Sequence, residues 1–188
     1  MKTIYLLVFA LLLSAAGAQA AEPLPPMVGA SESALNERAA LFAELAAAPN
    51  EADARAAEMK IWKFWLGFAD AQSRDLLEKS RVAQLRMDFD EALLAIKALV
   101  VHAPQFAEGW NQLGFVYFLD GQYDEALAAI AQALKIEPMH YAALSGRSMI
   151  LMTQGKEADA QDALKQALAI DPWLKDRQII ESMGARKL

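Results

Sequence analysis

Three prolines divide the second half of this chain into segments of equal length. Pro104, Pro138 and Pro172 are separated by 34 residues each time (138 − 104 and 172 − 138). Proline interrupts a helix because it lacks the backbone N–H and its ring clashes with the preceding turn. An equal spacing of such breaks predicts a helical unit that is repeated along the chain and packed against its own copies.

The segment between the first two prolines carries apolar residues at the offsets of two helices. Gly114 leaves room for the second helix to approach the first, and Asp120 and Gly121 supply the turn. One such hairpin cannot bury its outer face alone, so it needs neighbours. The first helix presents Trp110, Leu113, Gly114 and Tyr117, and the second presents Ala126, Ile130, Ala133 and Leu134.

This segment resembles a tetratricopeptide repeat (TPR), whose pattern is W-x2-L-G-x2-Y, then A-x3-F, then P. Ile130 is the one departure, an aliphatic residue in the aromatic position. The matching positions are Trp110, Leu113, Gly114, Tyr117, Gly121, Tyr123, Ala126, Ala133 and Pro138. More degenerate copies lie in phase on both sides, at Leu76, Ala83, Met87, Phe89, Ala92, Ile96, Leu99 and Pro104, and at Leu144, Leu151, Gly155, Ala160, Leu164, Ala167 and Pro172. We therefore predict TPR 1 at residues 73–106, TPR 2 at 107–140 and TPR 3 at 141–174.

The resemblance implies an all-α, right-handed α-solenoid of about three TPR helix hairpins, with a concave groove lined by the first helix of each repeat. In this family a peptide or a helix of a partner protein binds there. Asn111 is placed to hold a peptide backbone, and Phe115, Phe118, Met149 and Met152 would form an adaptable apolar floor. The alternative is that some of these residues are core, or that the amino-terminal hairpin covers them. The predicted groove residues are Arg74, Leu77, Arg81, Gln84, Glu108, Asn111, Phe115, Phe118, Leu119, Ala142, Ser145, Met149 and Met152.

One subtype of the family is disfavoured by the groove residues. TPR proteins that clamp the acidic carboxy-terminal chain of a chaperone use Lys, Asn and Arg at several groove positions. Here only Arg74, Arg81 and Asn111 correspond, and the third repeat offers no basic residue on that face. Arg147 also departs from the pattern, since TPR 2 has Leu113 at that position; it predicts either an ion pair or a loosened turn.

The amino terminus has the pattern of a cleavable secretory signal peptide at residues 1–20. Lys2 precedes an apolar run from Ile4 to Leu13, which is too short to span a bilayer comfortably, and Ala18-Gln19-Ala20 follows. We expect cleavage after Ala20 and a periplasmic protein; the alternative is an uncleaved anchor. Residues 21–33 are rich in proline and are predicted to be a flexible linker.

Residues 34–70 are predicted to form an amino-terminal helical hairpin. A first helix capped by Ser31 or Ser33 stops near Pro49, and Asn50 begins a second that is apolar almost all round. Our main expectation is that this second helix packs between the first helix and TPR 1 as a cap. The alternative is a partner-docking surface formed by Trp62, Trp65 and Phe68. At the other end, residues 175–188 are predicted to be a capping helix and a tail.

Composition and motifs argue against catalysis. The chain has no cysteine, a net charge of −6, and no phosphate-binding loop, nucleophile elbow or H-E-x-x-H. Without residues 1–20 the balance is 17 basic to 24 acidic residues (18 − 1 and 24), or −7, which disfavours nucleic acid and anionic membranes. His102 and His140 are expected as carboxyl-end helix caps or loop residues rather than metal ligands, and the pairs Asp90-Glu91 and Asp124-Glu125 as helix-start acids.

The sequence thus predicts a non-catalytic protein–protein interaction scaffold of the bacterial cell envelope, without cofactor or metal, that binds a partner segment in its groove. The alternative is a fixed structural subunit of an envelope assembly, for example in cytochrome maturation or outer-membrane biogenesis, that docks through its Trp-rich amino-terminal hairpin. No small-molecule substrate, nucleic acid or stable membrane insertion is expected.

Overall fold

A computed structural model describes Met27 and residues 29–175, which form helices and the turns between them. The helices pair into consecutive antiparallel hairpins, as the all-α solenoid prediction requires. The four hairpins are α1 (Glu32–Ala46) with α2 (Glu51–Leu66), α3 (Ala71–Leu85) with α4 (Phe89–His102), α5 (Ala107–Leu119) with α6 (Tyr123–Ile136), and α7 (Tyr141–Thr153) with α8 (Glu157–Ile170).

Side-chain caps fix where the first four helices begin. Ser31, Asn50, Asp70 and Asp88 each accept a hydrogen bond from the backbone N–H three residues on, which satisfies one of the free amides of a helix start. Ser31, not Ser33, is therefore the cap of α1. Acidic residues also occupy the first turns of α4 and α6, as predicted from the helix dipole.

The position of Gly114 shows how the two helices of one repeat approach each other. A Cβ at Gly114 would lie 2.8 Å from Cγ1 of Ile130, so the glycine is required by contact. The same repeat position holds Ser80 and Ser148, and each hydroxyl donates to a carbonyl of the opposing helix, at 3.1 and 2.8 Å respectively. Small residues thus set the helix spacing in every repeat.

The amino-terminal hairpin occupies a different place from the one expected. Instead of fitting between α1 and TPR 1, α2 packs on α1 and contacts α5, and the hairpin shares an apolar cluster with Tyr141 and Trp173. The hairpin therefore lies along the edge where one repeat passes to the next. A buried ion pair between Arg38 and Glu137 joins the two parts. The expectation of an end cap was wrong because side-chain periodicity gives a buried face without giving its partner.

Three predicted segments fall partly or wholly outside the described residues. The signal peptide lies outside them, as does the carboxyl-terminal helix beyond residue 175. Of the predicted linker, Met27 and residues 29–33 are described, and α1 begins within it at Glu32. Met27 is only 8% exposed and lies beside Trp65 and Phe106. Within residues 29–175 no helix combines the length and apolar character needed to cross a membrane.

Candidate functional site: the groove between α5 and α7

An open cavity of about 320 Å³ lies between the first helices of TPR 2 and TPR 3. Its lining contains no charged side chain. Phe115 and Met149 remain 41% and 45% exposed, so the apolar floor is open to a ligand. The lining residues are Asn111, Gln112, Phe115, Phe118, Ile130, Ala142, Ser145, Gly146, Met149, Ile150 and Leu174.

Six residues of the predicted groove meet in this cavity, namely Asn111, Phe115, Phe118, Ala142, Ser145 and Met149. The sequence prediction missed Gln112 and Gly146, together with Ile130, Ile150 and Leu174. Gln112 and Gly146 occupy equivalent positions of TPR 2 and TPR 3, 34 residues apart (146 − 112). An alignment of the two repeats could therefore have identified both. Leu174 had no such signal, because it was placed at the end of the last repeat.

Glu108 is not an exposed groove residue but a buried hydrogen-bond acceptor next to the cavity. It is 4% exposed, and its Oε2 lies 3.0 Å from Nε2 of His140. Its two oxygens also accept hydrogen bonds from the amides of Asn111, at 3.3 Å, and Gln112, at 2.6 Å. Glu108 therefore positions the two polar side chains of the groove.

The predicted groove residues of TPR 1 lie apart from the cavity. Arg81 is paired with Glu78 at 2.6 Å, and Arg74 donates to the carbonyl of Ala69. Gln84 donates to Ser80 at 3.2 Å, while Leu77 packs against the core. The basic residues of this face are thus engaged with their own helix or with the loop before it.

The remaining groove candidates also lie outside the cavity. Leu119 is 39% exposed near the end of α5. Met152 is half-buried and packs beside Leu151 and Ala160. Arg147 is exposed, and no ion pair joins it to another side chain within residues 29–175, which excludes the predicted ion pair there.

A second cavity, of about 470 Å³, lies between α1 and α2. Phe68, 42% exposed, contributes to it together with Phe64, whose ring meets that of Phe68 edge-on at 5.3 Å. Trp62 is 51% exposed on the same helix. The prediction that Trp65 belongs to the docking surface was wrong, because Trp65 is only 4% exposed and faces the repeats. The full lining is Ala34, Glu37, Leu41, Lys60, Lys63, Phe64, Gly67 and Phe68.

A buried polar cluster holds the amino-terminal hairpin against the repeats. Glu137 is fully buried and accepts hydrogen bonds from Nε of Arg38 at 2.7 Å and from Nε1 of Trp65 at 3.3 Å. The Trp65 ring stacks on His140, with 4.1 Å between ring centroids. His140 in turn caps the start of α7, since the N–H of Ala143 donates to its Nδ1 at 3.2 Å. His140 is therefore an amino-terminal cap rather than a carboxyl-terminal one.

One carboxyl group in this interface has a displaced pKa. Burial, opposed by the hydrogen bond from the Trp173 N–H and assisted by the nearby carboxylate of Glu58, raises the pKa of Asp171 to about 6. Burial also raises the pKa of the Tyr141 hydroxyl well above its usual range. Both residues pack where α2 meets the end of the solenoid, so the raised pKa values indicate that water is excluded from that contact. No cluster of three potential metal-binding side chains occurs in the part of the chain described.

Comparison with protein-family models finds two adjacent matches, both to models described as Tetratricopeptide repeat. They cover residues 107–140 and 141–172, the same segments as the second and third predicted repeats to within two residues. No curated protein gives a significant match.

Solved structures of TPR domains share the fold at low sequence identity. The Arabidopsis OM64 TPR domain is 15% identical with a TM-score of 0.58, covering 62% of this chain and 96% of that one. The first TPR of Spaghetti (RPAP3), bound to the HSP90 peptide SRMEEVD, is 18% identical with a TM-score of 0.55, covering 62% and 97%. The type III secretion translocator chaperone SycD of Yersinia enterocolitica is 16% identical with a TM-score of 0.52, covering 63% and 87%.

The two kinds of comparison agree with the helix pairing and the 34-residue period. Together they support tetratricopeptide repeats in residues 107–172 and an α-solenoid fold for the described chain.

Proposed function

We propose that this protein is an exported, non-catalytic scaffold of a bacterial envelope that holds a segment of a partner protein in the groove between α5 and α7. The observation that carries the proposal is the open, uncharged cavity with Phe115 and Met149 exposed on its floor. Concave sites with an apolar floor and a few fixed polar groups are typical of ligand binding. Structural neighbours that bind peptides, such as the Spaghetti domain with its HSP90 peptide, lend support at the level of the fold.

The chemistry of the lining favours an apolar partner segment over an acidic one. No lysine or arginine faces this cavity, and Arg74 and Arg81 are engaged elsewhere. A carboxylate placed here would lose its hydration without gaining a cation. Asn111 and Gln112, held by Glu108, would bond the partner's backbone or polar rim while apolar side chains fill the floor.

A cysteine scan tests the groove, because the natural chain contains no cysteine. A single Phe115→Cys or Met149→Cys variant, carrying a photo-crosslinker on its thiol, should trap the partner from envelope extract. The matched control is Ala128→Cys on the exposed face of α6. Equal trapping from all three positions would contradict the groove proposal.

Substitution provides an independent measurement. Phe115→Ala with Met149→Ala should reduce capture of that partner at least tenfold while circular dichroism stays unchanged, since both side chains are partly exposed. Phe118 is less suited to this test because its ring packs on Tyr123, at 5.9 Å between centroids. Undiminished capture by the double variant would refute the proposal.

Export is tested separately by the mass of the mature chain. Cleavage after Ala20 predicts a product beginning at Ala21 in the periplasmic fraction of an expressing bacterium. A chain retained in the cytoplasm would refute the envelope part of the proposal, and an uncleaved chain in the membrane fraction would refute only the cleavage; neither result bears on the groove.

A second candidate function is supported by two exposed aromatic residues of the amino-terminal hairpin. Trp62 is exposed on α2, and Phe68, just after α2, lines the cavity between α1 and α2; exposed aromatic residues are expected of a fixed subunit that docks through its hairpin. Trp62→Ala with Phe68→Ala would then abolish assembly, whereas the groove variant would not. The two variants together decide between the candidates.

A further inference from the structure

The outer face of α4 carries an exposed apolar stripe that the groove does not use. Leu94 and Val101 are 74% and 81% exposed, and Ala98 lies exposed between them. Met87, 73% exposed in the turn before α4, continues the seven-residue spacing. We call these four residues the α4 stripe. A spacing of seven keeps side chains on nearly the same face of a helix.

The other two repeats show that the solenoid does not require this stripe. The positions of Met87, Leu94 and Val101 hold Gly121, Ala128 and Lys135 in TPR 2, and Gly155, Asp162 and Ala169 in TPR 3. All six of these residues are exposed. The architecture is therefore satisfied by small or polar residues, and large apolar ones are confined to the first repeat.

Met87 adds a conformational argument. Its φ is +60°, in the left-handed region where the equivalent Gly121 and Gly155 also lie, at +76° and +73°. A residue with a Cβ is disfavoured there because the Cβ crowds the following carbonyl oxygen. A strained and exposed methionine contributes nothing evident to the folding of the monomer, and such outliers are concentrated at functional surfaces.

Charges beside the stripe suggest what covers it. Asp90 and Lys97 lie on the same side of the stripe, before and after Leu94 along α4. The ammonium of Lys97 is held on that side over the Tyr117 ring, 5.1 Å from its centroid. A two-fold axis at Leu94 that places two α4 helices antiparallel would bring Asp90 of one copy toward Lys97 of the other. The same axis would set Met87 opposite Val101, since 87 + 101 equals twice 94.

We propose that the α4 stripe is a homodimer interface, in which α4 packs antiparallel against α4 of a second copy with Leu94 on the two-fold axis. The interface is isologous, so each copy contributes the same apolar stripe and the same pair of opposite charges. One helix-on-helix contact is at the small end of specific interfaces, so we expect a dissociation constant on the order of micromolar or weaker. The groove lies on other helices, and the proposal is independent of what the groove binds.

Disulfide trapping tests both the contact and its direction. Under mild oxidation Leu94→Cys should form a covalent dimer at least ten times faster than Ala128→Cys, its equivalent in TPR 2. A mixture of Met87→Cys and Val101→Cys chains should form the mixed dimer. Val101→Cys alone should not cross-link, because its two copies would lie about 20 Å apart along the helices, the rise of some 14 residues.

Sedimentation of the mature chain gives the matching equilibrium measurement. The apparent mass should rise toward twice the monomer with concentration, Leu94→Glu should hold the chain as a folded monomer, and Ala128→Glu should leave association unchanged. Equal cross-linking at Leu94 and Ala128, a parallel pattern of cross-links, or a monomer at every concentration would overturn the proposal.

Discussion

At the scale of single residues, the backbone at Met87 is the clearest conflict between local preference and sequence. Glycine at this position in the other two repeats adopts the same left-handed conformation without a Cβ penalty. We expect Met87→Gly to raise the free energy of unfolding of the monomer by about 0.5–1 kcal/mol, because relief of strain exceeds the added chain entropy of glycine. Urea denaturation at low protein concentration measures this.

Met87→Ala is the matched control for that prediction. Alanine removes the exposed side chain but keeps the strained Cβ, so it should not stabilise the chain. If alanine stabilises as much as glycine, the gain comes from removing an exposed apolar group and the strain argument is wrong.

At the scale of elements, the ion pair between Arg38 of α1 and Glu137 at the end of α6 fixes the hairpin on the repeats. Both side chains are buried, at 2% and 0% exposure. Removing one partner of such a pair leaves an uncompensated charge and costs roughly 3–5 kcal/mol. We therefore expect Arg38→Leu to destabilise by about that amount, and adding Glu137→Gln to recover part of the loss.

A double-mutant cycle measured by chemical denaturation gives the coupling between the two residues. Glu137 also accepts hydrogen bonds from Trp65 on Oε2 and from the N–H of Met139 on Oε1, at 2.8 Å. Glutamine has one carbonyl oxygen and can retain only one of these two bonds, so recovery should be partial. Strictly additive losses would mean that the two side chains do not act as a pair.

The contact of α2 with the end of the solenoid should depend on pH through Asp171. Burial raises the pKa of this carboxyl to about 6 in the folded protein, above its ordinary value. The folded state then binds the proton more tightly than the unfolded state, so this contribution is complete below the ordinary pKa and is lost as pH rises to about 6 and beyond. Stability should fall over that interval.

Asp171→Asn is the test of this effect. Asparagine keeps an acceptor for the N–H of Trp173 and cannot ionise, so at neutral pH it should stabilise the fold by roughly 1–3 kcal/mol. The comparison is thermal denaturation of both proteins at about pH 4.5 and pH 7. An equal difference between them at the two pH values would exclude Asp171 as the titrating group.

At the scale of the whole molecule, the sequence predicted the features that depend on local spacing along the chain. The helix pairing, the position of Phe115 and Met149 in one cavity, and the caps at Ser31 and Asn50 all follow from local spacing and capping chemistry. The cap at His140 was missed, because histidine is not a usual amino-terminal cap.

The docking of the amino-terminal hairpin was beyond such reasoning. Its contacts with the repeats join residues as far apart as Arg38 and Glu137, or Ala48 and Trp173. Nothing in a single sequence links positions about a hundred residues distant, so Trp65 was assigned to a possible docking surface rather than to its contact with His140. Local periodicity predicts helices and faces, while the pairing of faces across the chain has to be observed.

The way the hairpin is docked implies that the whole molecule unfolds as one cooperative unit. The cluster that includes Phe42, Ile61 and Trp65 is completed by Tyr141 and Trp173 of TPR 3, so neither part buries its apolar surface alone. In a Trp110→Phe background, fluorescence reports the hairpin and its contact through Trp62, Trp65 and Trp173, while far-ultraviolet circular dichroism reports all helices. We expect the two urea transitions to coincide. A fluorescence midpoint at a much lower urea concentration than the dichroism midpoint would instead mean that the hairpin detaches first. The buried Arg38–Glu137 contact would then break before the repeats unfold.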